Sequence, residues 1–307
     1  MSSPNGPASG LPVRMPRPRQ SGRHRRPEPA AAPEGAPALV LAVPGAPSAA
    51  IRSLAEEVVS IARSELPGLE ALIGFLEGDD TEYASLPGAL AAAESLRVQR
   101  YELAVAAGRE VTAPTGPAAV VVPLLAGPDS AQTRLVRQAV MDAGNTAELT
   151  DVLGPHPLLA EALHVRLSEA GLARADRARL FTVATAADGI ILATVGGEEA
   201  VQAAGITGML LAARLAVPVM AAALDQEGSI ASVADQLRAS GSSQLALAPY
   251  LIGPELADGL LDEASKEAGC ASAEALGAYP AIGKLVLSQY SATLGIPPQQ
   301  PQGAAAH

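Results

Sequence analysis

Aromatic side chains are scarce in this chain. They make up 2% of its 307 residues, and tryptophan does not occur. A platform that stacks on bases or sugars needs aromatic faces, so the composition argues strongly against one. The net charge of −11 argues against a general affinity for nucleic acid. Because hydrophobic residues still make up 49% of the chain, we expect a large core of alanine, leucine, valine and isoleucine and no nucleic-acid partner.

Cysteine and long apolar runs are also missing. Cys270 is the single cysteine, which excludes an intramolecular disulfide and a cysteine-based zinc or iron–sulfur site within one chain. This usage fits a reducing compartment, and we predict a cytoplasmic protein. No charge-free apolar run reaches the roughly 18 residues of a membrane span, and no apolar segment of signal-peptide length follows the basic N-terminus. We therefore expect neither a membrane partner nor a signal peptide.

Two terminal segments have the composition of disordered tails. Residues 1–36 are rich in proline, serine and glycine and contain six arginines against two glutamates. This segment is either a solvated tail without a specific function or a polybasic arm for an acidic partner. Residues 296–307 form the second predicted tail.

Between the tails, short β-rich runs alternate with segments of helical periodicity. This alternation predicts an α/β fold with a parallel sheet and helices on both of its faces. The strands are expected at 38–43, 69–76, 118–125, 189–194, 218–224 and 244–251. The helices are expected at 48–66, 86–107, 130–143, 157–170, 198–215, 229–239, 254–268 and 280–292.

The second half of the chain repeats the first. With a shift of 151 residues, Leu41 and Ala42 fall on Leu192 and Ala193, and with a shift of 126 the segment 121–129 falls on 247–255. A repeated order of motifs with one change of loop length indicates an internal duplication. We therefore predict two similar parallel-sheet domains, residues 37–172 and 173–295, that face each other across a cleft. A chain that contains both halves is expected to be a monomer.

The order of motifs in each half resembles the sirohydrochlorin chelatase family of the CbiX type, the class II chelatases. Each half has a strand that ends in a glycine loop, an apolar strand with proline near its end, and an L-G-x-x-P turn before the last helix, as in 153–157 and 276–280. The resemblance implies a ligand pocket at the carboxyl ends of the strands. It also implies a lyase of sirohaem or cobalamin synthesis, with a cyclic tetrapyrrole and Fe²⁺ or Co²⁺ as substrates and no organic cofactor.

The chain departs from the family where the family has its histidines. The position directly after the first strand holds Pro44, and its counterpart in the second half holds Val195. The segments after the third strand of each half, 126–131 and 252–255, also lack histidine. Two functions therefore stay open: a metal chelatase, and a catalytically degenerate relative that binds a tetrapyrrole or a metal or partners an active chelatase. A third is a pocket for an unrelated anionic ligand.

Two carboxylates occupy equivalent positions in the halves and are the candidate catalytic residues. Asp129 and Glu255 each follow Gly-Pro just after the third strand. At that edge they can bind a hard divalent cation or accept protons. The alternative is helix capping, because acids favour the first turn of a helix.

The remaining candidates are glycines for ligand binding and two residues for metal binding. Gly45, Gly127, Gly196 and Gly253 lie in loops that can offer backbone N–H groups to an anion. The predicted metal ligands are His156, in the turn before a helix, and Glu77, in an acidic cluster where the family commonly has an acid. His156 can equally be a local cap, because Tyr279 takes its place in the second half.

Overall fold

The computed structural model describes residues 31–144, 147–173, 187–253, 255–257 and 259–296. Most of both predicted tails lies outside the described residues. The described part of the first tail contacts the folded chain, because the Ala32 amide donates to Pro67 O at 2.9 Å and Glu34 pairs with Arg109.

The described residues of the first half form four strands and four helices in strict alternation. In chain order they are β1 (Ala38–Val43), α1 (Ala49–Glu65), β2 (Ala71–Phe75), α2 (Leu86–Ala106), β3 (Ala119–Pro123), α3 (Ser130–Asp142), β4 (Ala147–Leu149) and α4 (Pro157–Glu169). Side-chain caps define several helix starts, among them Ser48, whose hydroxyl oxygen accepts from the Ile51 amide at 3.2 Å.

The second half repeats this order. Its elements are β5 (Gly189–Thr194), α5 (Gly197–Leu215), β6 (Val219–Ala223), α6 (Ser229–Ala239), β7 (Leu245–Pro249), α7 (Leu260–Ala268), β8 (Ala271–Ser272) and α8 (Pro280–Thr293). The largest difference between the halves is helix length, because α2 has 21 residues and its counterpart α6 has 11.

Each half forms one four-stranded sheet of parallel strands, with the orders β2-β1-β3-β4 and β6-β5-β7-β8. The two registers agree residue for residue: Ala38 pairs with Ala119, and their counterparts Gly189 and Leu245 pair in the same way. The predicted α/β class with two similar parallel-sheet units is therefore confirmed. The sequence analysis missed β4 and β8, because strands of three and two residues are too short to show an alternating pattern.

One predicted helix boundary is wrong. The periodicity placed the start of the seventh helix at residue 254, whereas α7 begins at Leu260. Two local features account for the difference. The Glu255 carboxylate turns back to the amides of Ile252 and Gly253, and Gly259 has the left-handed φ of +80° just before the helix.

Within the described residues, three hydrophobic cores hold the chain together, and the largest belongs to both halves. Along β1, Leu39 and Leu41 point into the central core, whereas Val40 points into an outer core under α2 and α3. The second sheet alternates in the same way, with Leu192 in the central core and Ile191 in an outer core under α6 and α7. The central core therefore lies between the two sheets and is lined by both.

The last helix of each half packs against the sheet of the other half. Helix α4 contacts α5 and β7, and helix α8 contacts α1 and β3. Matching side chains on these helices bond across the halves. Arg166 Nη2 donates to Leu276 O at 2.8 Å, and Gln289 Nε2 donates to Val152 O at 3.0 Å. Each half therefore completes its core with a helix from the other.

A close approach of α8 to α1 depends on Gly283. A Cβ atom at this position would lie 2.5 Å from Ile61 Cγ2 and 3.0 Å from Val58 O. We expect Gly283→Ala to lower the free energy of unfolding by about 1–3 kcal/mol, because the added methyl group overpacks the contact. Urea unfolding followed by circular dichroism measures the change.

Gly205 in α5 is the matched control, because a Cβ atom there has no neighbour within 4 Å. Gly205→Ala is expected to raise the free energy of unfolding by up to about 1 kcal/mol through helix propensity alone. Equal effects of the two substitutions would contradict the overpacking argument.

Candidate functional site

The candidate site is the cluster of loops at the carboxyl ends of the strands, where parallel α/β sheets bind their ligands. These loops belong to both halves and touch each other. A Cβ atom on Gly196, in the β5–α5 loop, would lie 2.8 Å from Pro128 O in the β3–α3 loop. A Cβ atom on Gly253, in the β7–α7 loop, would lie 3.3 Å from Leu54 Cδ1 on α1. The cleft between the halves is thus closed by direct contact at these points.

Tyr250 fills the junction between the loops. It follows β7 directly, is fully buried, and receives a hydrogen bond from Thr207 Oγ1 at 3.2 Å. Its ring packs on Gly127, and a side chain on Gly154 would overlap its hydroxyl group. Burial raises the pKa of Tyr250 to about 12, so the phenol stays neutral near pH 7. The sequence analysis did not single out Tyr250. A signal was present, because the equivalent position in the first half holds Leu124.

The Glu255 carboxylate is held by backbone amides of its own loop. Oε2 accepts from the Gly253 amide at 2.8 Å and from the Ile252 amide at 3.1 Å. The Ala126 amide, in the β3–α3 loop, also acts on this carboxyl group and favours its charged form. Although the residue as a whole is partly exposed, burial of its carboxylate raises the pKa of Glu255, and the amide hydrogen bonds act in the opposite direction.

Asp129 has a different role from its counterpart in the second half. Its Oδ1 atom accepts from the amides of Ala131 at 2.9 Å and Gln132 at 3.0 Å, which caps α3. No described residue donates a hydrogen bond to Oδ2. Asp129 also lies against the other half, because a Cβ atom on Gly196 would be 3.1 Å from its Cα atom. The structure thus brings Asp129 to the same loop cluster as Glu255, with the two carboxylates turned to different amides.

The four glycines predicted to bind a ligand lie in this loop cluster. Gly45, Gly196 and Gly253 have φ values of +74°, +108° and +146°, which L side chains rarely adopt. The amides of two of them already bind carboxylates of this chain: Gly196 donates to Asp225 Oδ2 at 3.0 Å, and Gly253 donates to Glu255. Gly127 instead provides the space beside Tyr250.

His156 caps a helix. Its Nδ1 atom accepts from the Leu158 amide at 3.1 Å at the start of α4. Burial lowers the pKa of His156, which favours the neutral imidazole. The local cap weighed in the sequence analysis is therefore what Nδ1 does, and a metal-binding role of Nε2 stays a prediction.

Glu77 is exposed at the end of β2, and its acidic neighbours shape the following loop. The Thr81 hydroxyl donates to Asp79, as do the amides of Thr81, Glu82 and Tyr83, and these bonds hold the pKa of Asp79 well below its usual range. Asp80 accepts from the amide and hydroxyl of Ser85. Within the described ranges, no group of three or more histidine, cysteine, aspartate or glutamate residues is placed to hold a metal ion.

The structure resembles chelatases of known structure. The sirohydrochlorin chelatase SirB from Bacillus subtilis subspecies spizizenii, solved with cobalt, matches with a TM-score of 0.54 and 13% identity over 85% of this chain and 97% of its own. CbiX, the terminal enzyme for siroheme biosynthesis in denitrifying bacteria, matches with a TM-score of 0.52 and 14% identity over 83% of this chain and 98% of its own.

A multi-domain Deinococcus radiodurans protein with structural similarity to chelatases matches with a TM-score of 0.52 and 16% identity over 84% of this chain and 55% of its own. No family model matches the sequence, and no curated protein matches it. At these identities the likeness shows the fold: the chain has the CbiX-type chelatase fold that its motifs predicted. Among the helices described, none has the length and hydropathy needed to cross a membrane.

Glu255→Gln removes one titrating group while keeping the shape of the side chain. Because the pKa of Glu255 is raised in the folded chain, the folded state holds this proton more firmly than the unfolded state. Its contribution to the free energy of unfolding is then largest below the ordinary glutamate pKa and falls as pH rises through the raised pKa.

We expect the free energy of unfolding of the wild type, minus that of Glu255→Gln, to fall as the pH rises above the ordinary glutamate pKa of about 4. Urea unfolding at several pH values measures it, with Glu57→Gln as the reference for replacing an exposed helix glutamate. A difference that rises with pH would show that the amide hydrogen bonds outweigh burial.

Proposed function

We propose that this chain binds a carboxylate-rich cyclic tetrapyrrole of the sirohydrochlorin kind where the loops of its halves meet, and inserts Fe²⁺ or Co²⁺ into it. The observation that carries the proposal is the likeness to two chelatase structures over more than four-fifths of the chain. The metal is a substrate of this reaction, and no organic cofactor is invoked. Such a reaction belongs to sirohaem or cobalamin synthesis and classifies the protein as a lyase.

Metal insertion needs a proton acceptor, because the macrocycle loses its pyrrole N–H protons as its nitrogens take the cation. Asp129 is the proposed acceptor. Its Oδ1 atom is committed to the N-terminus of α3, whereas no described residue donates to Oδ2. The Glu255 carboxylate is bound by amides of its own loop. In this scheme it acts as a second proton acceptor only after the ligand has replaced it at those amides.

The other candidate residues have supporting roles in the proposal. The glycines Gly45, Gly127, Gly196 and Gly253 let the ligand approach the backbone. His156 offers Nε2 of a neutral imidazole to the incoming cation, and exposed Glu77 offers a hard oxygen ligand. The macrocycle itself supplies the nitrogen ligands, so the protein needs only a partial set.

A second candidate is a relative that binds the tetrapyrrole without accelerating metal insertion. Two observations favour it: Pro44 and Val195 stand where the family has imidazoles, and the Glu255 carboxylate is already bound by two backbone amides. In either case we propose a cytoplasmic monomer. The single cysteine supports the compartment, and the exchange of helices within one chain supports the monomer.

Absorbance titration with sirohydrochlorin, with and without Fe²⁺ or Co²⁺ under anaerobic conditions, tests the proposal. We expect saturable binding and metal insertion above the spontaneous rate. Asp129→Asn is expected to slow insertion by about a hundredfold, the scale of general base catalysis. Asparagine caps helices as well as aspartate does, so folding and tetrapyrrole affinity should change little.

Each outcome decides between the candidates. Binding without faster insertion favours the second candidate, and insertion that Asp129→Asn does not slow removes Asp129 from the chemistry. A chain that does not bind sirohydrochlorin at all would overturn both candidates and leave the fold alone. Glu57→Gln, on an exposed face of α1, is the control for a change of surface charge.

A further inference from the structure

The amides around Glu255 form a carboxylate-binding site that this chain fills with its own side chain. The adjacent amides of Ile252 and Gly253, in the β7–α7 loop, both donate to Glu255 Oε2, at 3.1 Å and 2.8 Å. Converging peptide N–H groups bind anions in general, and carboxylates are captured in such backbone concavities. The site is therefore complete without any charged side chain of its own.

A second internal carboxylate is bound nearby in the same manner. The Gly196 amide, in the loop that touches Pro128, donates to Asp225 Oδ2 at 3.0 Å. Amides at the carboxyl ends of β5 and β7 are thus both occupied by acids of this chain. This places carboxylate-binding amides at the edge where an α/β protein takes its ligand.

We propose that the adjacent amides of Ile252 and Gly253 are a subsite for a carboxylate group of the ligand, and that Glu255 occupies it until the ligand arrives. This inference rests on the proposed function, because a tetrapyrrole with peripheral carboxylates is the ligand that would use the subsite. The exchange replaces one carboxylate by another, so the amide hydrogen bonds are kept.

The position of Glu255 suits such an exchange. The residue lies outside helix and strand, since α7 begins only at Leu260, and it is partly exposed. Its carboxylate is buried and has a raised pKa, so release of the charged group into water recovers hydration. Asp129, with one methylene fewer, instead caps α3. The subsite is therefore a feature of one half only.

The first experiment tests the subsite without any tetrapyrrole. Glu255→Ala vacates the amides, and acetate replaces the missing carboxylate. At about 0.1 M, acetate is expected to raise the Tm of Glu255→Ala by about 2 °C more than chloride does at equal ionic strength. The wild type and Glu57→Ala, which loses an exposed glutamate, should show no such difference. An equal acetate effect on all three proteins would overturn the inference.

The second experiment tests the exchange with sirohydrochlorin, followed by absorbance. If Glu255 competes with the ligand, Glu255→Ala and Glu255→Gln should bind sirohydrochlorin about tenfold more tightly than the wild type. Glu255→Gln keeps one acceptor oxygen, so it tests the exchange even if Glu255→Ala does not fold. A porphyrin without carboxylates should not distinguish the three proteins.

The two experiments separate failure of the subsite from failure of the proposed function. If acetate stabilises Glu255→Ala but no variant binds sirohydrochlorin, the tetrapyrrole is not the ligand, and the carboxylate subsite still stands. Sirohydrochlorin binding that weakens in Glu255→Gln would show that Glu255 helps to bind the ligand, which overturns the exchange.

Discussion

The inner face of each sheet in this chain is covered in part by a helix that belongs to the other half. Helix α4 lies on β7 and helix α8 lies on β3, and the central core between them contains residues of both sheets. This packing fixes the distance between the carboxyl ends of the two sheets. The contacts of Gly196 with Pro128, of Gly253 with Leu54 and of Tyr250 with Gly127 all follow from it.

Hydrogen bonds within the chain stabilise the closed loop cluster. Backbone amides freed by left-handed glycines meet carboxylates of the same chain, as Gly196 meets Asp225 and Gly253 meets Glu255. A buried amide without a partner is costly, so these acids stabilise the loops. A ligand that binds to these amides must therefore replace the carboxylate oxygens of the protein with its own oxygens.

Local pattern was enough to predict most of the fold. Buried strands such as 189–194 show a continuous apolar run, and the duplication aligned the two halves before any contact was known. The site was harder to predict, because its contacts join distant parts of the chain: Gly196 meets Pro128, and Thr207 bonds to Tyr250, 43 residues away. Equivalent positions suggested equivalent roles for Asp129 and Glu255. The Asp129 carboxylate caps a helix, whereas that of Glu255, with one methylene more, accepts from amides of its own loop.

The packing of α4 and α8 on the opposite halves has a consequence for how such a duplicated chain can evolve. A half-length chain with the same packing can close its core only as a homodimer with a two-fold axis. In such a dimer, every substitution occurs in both subunits. Joining the halves in one chain releases that constraint, because each position then mutates without its symmetry mate. Tyr250 opposite Leu124 and Glu255 opposite Asp129 are differences that a symmetric ancestor could not have carried.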